Sequence, residues 1–539
     1  MRAVCACALV VVWFGASAAA QEVDEAIRVR VEQLRATGTL EARGAAVASR
    51  QLLPRLYERR AFAAAWTSLA QIDSLLEVLA ESYGEGLDPE DYHAAGVRAA
   101  RGALTDIERL PADERAQLDI LLTDSVIRLG YHLRFGKVDP VALDPNWNES
   151  RDLMGEDPVT TIQNAIDSRS LREFADEVIP RAFLYGRFKR ALAEYRALAA
   201  AGGWSAVPSG PTLKPGATDE RVPAVARRLA VTADLSRDAA AAATAEYVAP
   251  IVAGVQTFQR RHGLAADGVI GPATLAALNV PIEVRIDQIR ANLERARWVL
   301  YDPDRDYLVV NIAGFQVYLV RRDEIVWRSR VQVGRPYRQT PVFRAELTYL
   351  VVNPTWTVPS TILREDILPA ARKDPGYLAR RNIDVLDNAR QPVEATSVDW
   401  TSRSFPYQLV QRPGPDNALG RIKLMFPNEH SVYLHDTPSR DLFERDSRAF
   451  SSGCIRVENP LELAELLLGR AWPRERLDAL VAAGKTQTVL LDEPLPVMLL
   501  YWTAEVDAAG RVTFYPDVYG RDPAVVAALA QPFRTPDVL

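Results

Sequence analysis

The hydrophobic period of this chain changes once, near residue 302, from the three- and four-residue spacing of helices to the alternation of strands. Before the change, Leu69, Ile72, Leu75, Leu76 and Leu79 share one helical face, closed by Gly84 and Gly86 ahead of Asp88-Pro89. The run LDILLTDSVIRLGYHL (118–133) has the same character, and residues 25–200 read as helical throughout. A Gly-, Pro- and Ser-rich stretch at 201–216 reads as linker or loop. In VQTFQRRHGLAADGVIGPATLAAL (255–278), Val255, Phe258 and Gln259 share a helix face, Gly263 ends it, Asp267-Gly268 turns the chain and Pro272 opens the next helix. An amphipathic helix over 286–300 leads onward. After it, DYLVVNIAGFQVYLVRRDEIVWRSRVQVG (306–334) is strand-like, with turns at Ala313-Gly314 and Arg322-Asp323. Further strands are predicted at 347–352, 421–425, 431–434 and 498–503, with a hairpin through Ala508-Ala509-Gly510. At 539 residues the chain is too long for one core. The expected class is α+β and multidomain: helical over 25–200, a small helical module over 212–280, and a mostly β domain over 302–520.

Charge and cysteine content narrow the function. A net charge of −6 argues against nucleic acid, which needs a basic footprint. Arg2, the apolar residues 3–14 and the small residues Ala18 and Ala20 before Gln21 form the pattern of a secretory signal over 1–20. The chain is thus expected to be exported, and to be tethered to the membrane at its start if the signal stays uncleaved. Of the three cysteines, Cys5 and Cys7 leave with the signal. Cys454 then remains as a lone thiol in an oxidising compartment, without a disulfide partner. A buried core cysteine is the commoner fate of a lone thiol, but export makes an idle one an oxidation liability.

The segment YLHDTPSRDLFERDSRAFSSGCIRVENP (433–460) holds the candidate chemistry. His435 stands at the end of an apolar strand, and an imidazole beside a thiol of ordinary pKa near ~8.5 can generate a thiolate–imidazolium pair. Cys454 follows the flexible turn Ser451-Ser452-Gly453, and the amides of Gly453 and Cys454 are candidates for holding an oxyanion. His430 competes as a partner from a loop. His93, His132 and His262 read as structural, and one Cys with two His does not make a zinc site. No metal or cofactor is expected.

These residues resemble a known family. His435, fifteen intervening residues and then Ser451-Ser452-Gly453-Cys454-Ile455-Arg456 look like the signature of L,D-transpeptidases of the YkuD type. VGRPYRQTPVF (333–343), NPTWTVP (353–359) and NALGRIKLMFPN (417–428) resemble the large multidomain Gram-negative branch. The 255–278 segment resembles a peptidoglycan-binding module, and the N-terminal half resembles that branch's scaffold domain.

The resemblance implies Cys454 as nucleophile, His435 as its base, and the backbone carbonyl of Asp436 as the group orienting the base. It implies that Arg456 holds the architecture or a substrate carboxylate. Ser452 stands where many smaller members have His, which puts only an auxiliary role in question. The implied substrate is the peptidoglycan tetrapeptide stem, as donor and acceptor. Cys454 would attack the diaminopimelate carbonyl, release D-Ala and pass the acyl group to a second diaminopimelate amine, giving a 3→3 cross-link without ATP or metal. Residues 360–406 would cap the site. Periplasmic location, acylation by carbapenems and work beside other wall-synthesis enzymes follow from the same likeness. Two other classes fit parts of the pattern. A cysteine peptidase or amidase would use the same thiol with water, although in papain-like enzymes the Cys comes long before the His. A non-enzymatic wall-binding protein would use only the module.

Overall fold

The computed structural model describes residues 18–144, 146–148, 157–168, 170–300, 306–374, 376–402 and 405–533. The signal reading falls, for residues 1–17, outside them, and with it the tether. Among the described residues no helix is long and apolar enough to cross a membrane.

The chain divides into two compact units. The first draws on Met1–Lys137, Arg151–Pro180 and Leu529–Leu539. It is built around the helix Ala112–Phe135, which is buried on nearly every side. Burial on all faces demands that its polar residues find partners inside. Asp119 accepts from the Tyr57 hydroxyl at 2.7 Å and from the N–H groups of Ala65 and Trp66. Asp124 accepts from Ser49 N–H, Arg128 and His93. His132 pairs with the Tyr92 hydroxyl at 2.9 Å. Both histidines of this region therefore serve the fold, and His93 has an acidic partner that the fold brings from 31 residues away.

The second unit comprises Val138–Ser150 and Arg181–Ala528. Its small helical part packs Val222–Val231, Ala249–Arg261 and Pro272–Leu278 around Leu229, Tyr247, Val255 and Phe258. The stretch read as linker is pinned to this core. Val207 is buried, and Leu213 bridges Ile270 in an antiparallel pair. His262 does more than end a helix: it is buried, stacks on Phe258 at 3.7 Å between centroids, and bonds the Phe258 carbonyl.

The β part is one nine-stranded sheet. Its strands are β1 (Asp306–Asn311), β2 (Gln316–Arg321), β3 (Glu324–Gly334), β4 (Phe343–Val352), β5 (Ile422–Met425), β6 (Leu434–His435), β7 (Ala449–Ser451), β8 (Ile455–Val457) and β9 (Gln487–Leu500). The order is β7-β3-β8-β6-β5-β4-β9-β1-β2, and β2 also pairs β3, which closes the sheet on itself. One face is apolar, carrying Leu308, Val317, Val331, Leu350, Leu424, Leu434, Ile455 and Val457. Strand alternation puts the polar residues between them on the other face.

Two strand expectations are corrected. The strand read at 498–503 is the end of the long β9, whose Asp492-Glu493-Pro494 interruption hides its first half from a hydrophobicity reading. The strand read at 431–434 shrinks to Leu434–His435, because Ser431 takes a left-handed backbone (φ 54°). Between β4 and β5, residues 356–357, 383–386, 392–393 and 408–411 form a separate four-stranded sheet. That sheet has its own core of Val358, Ile367, Leu378, Ile383, Val385 and Leu409.

Candidate active site

Register assembles the site. Lys423 of β5 lies opposite His435 of β6, His435 opposite Arg456 of β8, and Arg456 opposite Gln332 of β3. Residues directly opposite one another share a face, so these four form a row on the polar side of the sheet. Tyr433 stands two residues before His435 and faces the same way.

His435 is buried and its Nδ1 donates to the Asp436 carbonyl at 2.5 Å. That bond places the proton on Nδ1 and leaves Nε2 as the basic atom. The Asp436 carboxylate points elsewhere: it accepts from Arg421 N–H and Nε at 3.0 and 2.9 Å and from Arg440 at 2.6 Å. Gly420 makes this possible. Its backbone is left-handed (φ 62°), and a Cβ there would sit 2.4–2.7 Å from the Asp436 side chain. Gly420→Ala is expected to cost about 2 kcal/mol of stability and about tenfold in turnover by displacing the acceptor of the His435 proton. Thermal melts and initial rates check both, and wild-type values in each would contradict this role for Asp436.

Cys454 sits half-buried beside this row, its thiol 3.7 Å from the Ser431 carbonyl. Among the described residues no hydrogen bond joins the thiol to the imidazole. Tyr433 faces the sulfur with both its N–H and its phenol O–H. Burial pushes the thiol pKa up, against the pull of Tyr433, Arg456 and Lys423. Burial, and next the Arg456 cation, drive the His435 imidazole down to about 3. Both shifts favour a neutral thiol and a neutral imidazole at rest, with the thiolate–imidazolium pair generated as the thiol reacts. A dry site holding two nearby cations disfavours a further positive charge.

The turn before Cys454 is braced from within. Gly453 has φ 121°, its N–H donates to Ser451 Oγ at 3.1 Å, and its carbonyl accepts from Thr340 Oγ1 at 2.8 Å. Ser451 Oγ in turn donates to the Cys454 carbonyl. With the Gly453 amide engaged, the Cys454 amide and the Tyr433 N–H are backbone donors beside the thiol. Ser452 is exposed, and its hydroxyl accepts from Arg338 at 2.9 Å. Arg338 also holds Asp366 and Glu365, so it ties the nucleophile turn to the 360–406 segment.

Cys454, His435, Ser452, Gly453 and Arg456 line one cavity of about 680 Å³, with His430 also on its wall. Arg456 bonds Gln332 Oε1 at 3.1 Å, its buried Nε has no partner, and among the described residues it makes no ion pair. The other charged residues of the lining are Arg335, Arg338, Arg381, Asp366 and Asp416. Arginines outnumber carboxylates there, although the chain as a whole is acidic. Sequence reading missed Tyr433, Lys423, Thr340 and Arg338. Only Tyr433 had a local signal, its two-residue spacing from His435.

Residues 305–489 match the model of the YkuD L,D-transpeptidase catalytic domain. Residues 51–192 match a scaffold domain, and residues 220–278 match a "Putative peptidoglycan binding domain". The chain carries a catalytic domain of the YkuD L,D-transpeptidase family. It is also 39% identical over 239 residues to a Haemophilus influenzae protein named "Putative L,D-transpeptidase". That alignment takes in 44% of this chain and 48% of the relative, so the chain spans about half the relative's length. Two crystal structures are similar to parts of the chain. The L,D-transpeptidase of Xylanimonas cellulosilytica is 15% identical with a TM-score of 0.18, covering 54% of this chain and 99% of that one. Mycobacterium tuberculosis L,D-transpeptidase 1 is 14% identical with a TM-score of 0.15, covering 36% and 62%. Superpositions that slight carry no argument about the site.

Proposed function

We propose that this protein is an exported peptidoglycan L,D-transpeptidase acting through a Cys454 thioester. The observation that carries the reading is that Cys454 and His435 share the wall of one cavity whose arginines outnumber its carboxylates. A stem peptide is rich in carboxylates and would meet Arg456, Arg335 and Arg381 there.

The chemistry follows from the resting charges. Cys454 Sγ attacks the diaminopimelate carbonyl carbon while its proton passes to His435 Nε2. The imidazolium exists only during this step, held by the Asp436 carbonyl. The oxyanion has the Cys454 amide and the Tyr433 hydroxyl as its nearest donors. Collapse breaks the bond to D-Ala, whose nitrogen takes the proton from His435. The acceptor amine then attacks the thioester, gives its proton to His435 and expels sulfur, which recovers a proton. Residues 360–406, held by Arg338, would keep water from the thioester.

Incubation with purified tetrapeptide muropeptides tests this reading. A 3→3 cross-linked dimer with free D-Ala is expected. A trimmed monomer alone would mean hydrolysis, and unchanged material would mean binding without chemistry.

A further inference from the structure

The polar face of the sheet does not end at the thiol. Along β3, Gln332 is followed at two-residue steps by Arg330 and Arg328, which lie opposite Gln316 and Tyr318 of β2. There a second cavity of about 740 Å³ opens, within the range of about 300–1,000 Å³ typical of ligand sites. β8 links the two cavities: Arg456 lines the first, and Glu458, two residues on, lines the second. Arg330, in the wall of the second cavity, pairs with Glu458 and Glu444.

The lining has a definite chemistry. Arg187, Arg328 and Arg330 are balanced by Glu458, Glu505 and Asp507, so the cavity favours no net charge, unlike its neighbour. Glu505 is the floor: it accepts from Asn311, Tyr318 and Tyr515 and is fully used. Arg328 is exposed, lies opposite Tyr318 and reaches Glu505 through its charge, without an ion pair or hydrogen bond among the described residues. The half-buried Gln316 lies two residues along β2, opposite Arg330. Planar donors and acceptors over tyrosines, without net charge, suit an uncharged ligand rich in hydroxyls and amides.

We infer that this second cavity binds the sugar end of the donor, the saccharide from which the stem peptide hangs. The inference rests on the transpeptidase reading and extends it. Length supports it. Cys454 and Glu458 are four residues apart, about 13 Å along an extended strand. Three stem residues from sugar to scissile carbonyl reach about 10 Å when extended, and the lactyl arm adds to that.

The test compares a disaccharide-tetrapeptide with the free tetrapeptide as donor, by the concentration dependence of D-Ala release. The wild type is expected to show a KM about tenfold lower for the disaccharide donor, the worth of one charge-assisted hydrogen bond. Arg328→Ala should erase that preference with kcat unchanged and the free-tetrapeptide KM unmoved; Gln316→Ala should act the same way. Equal KM values in the wild type, or a variant that shifts both donors alike, would overturn the subsite while leaving the transpeptidase reading intact. Release of D-Ala from neither donor would overturn both.

Discussion

Cys454→Ala is expected to release no D-Ala above background, a loss of about 10⁴-fold or more, while the protein stays folded. The size follows from the kind of step removed. With the nucleophile gone no acyl-enzyme forms, and water has no activated path to the same carbonyl. The fold should be spared because the half-buried thiol makes weak contacts, to the Ser431 carbonyl and to Tyr433. The surrounding turn is held instead by Ser451, Gly453 and Thr340. A melting temperature within about 2 °C of wild type, with D-Ala release lost, is the predicted pair of results. Release persisting in the variant would mean that another group performs the attack.

His435→Gln is the second large effect, with about a 10³-fold fall in acylation, since it removes the base proposed to take the thiol proton. Its pH behaviour separates it from an ordinary histidine. With the imidazole driven down to about 3, the basic form persists well below neutrality, so acylation by the wild type should change little between pH 7 and pH 5. An imidazole at its usual value near 6.5 would lose more than tenfold over that interval. Stability moves the other way. Between the folded value near 3 and the unfolded value near 6.5, the unfolded chain binds a proton that the folded site refuses. Stability therefore falls as pH falls through that window, by about 2 kcal/mol at pH 5 relative to neutral pH. His435→Gln should remove that part of the slope, leaving the part due to His262, which burial also drives down. Rate and melting profiles across pH 5–7 check both signs.

What could be read in the sequence was whatever lies close along the chain or repeats with a period. The change from helix to strand and the turn before Cys454 are local, and residues 433–460 carry both His435 and Cys454. Tyr433 was within reach of the same alternation that marks His435. Lys423 and Gln332 were not, because they join the row only through the pairing of β5 with β6 and of β8 with β3. Thr340 and Arg338 arrive from 113 and 114 residues away to brace the nucleophile turn. The resting charges depend on the same long-range assembly: burial and the Arg456 and Lys423 cations hold the His435 imidazole down, and none of these is visible in the spacing of Cys and His.

The central claim is tested most directly by the intact mass of the protein quenched after mixing with a tetrapeptide donor and no acceptor. A covalent tripeptide adduct on Cys454, with one D-Ala released per adduct, is the predicted result. An unmodified Cys454 while D-Ala accumulates, or an adduct that persists in Cys454→Ala, would contradict it.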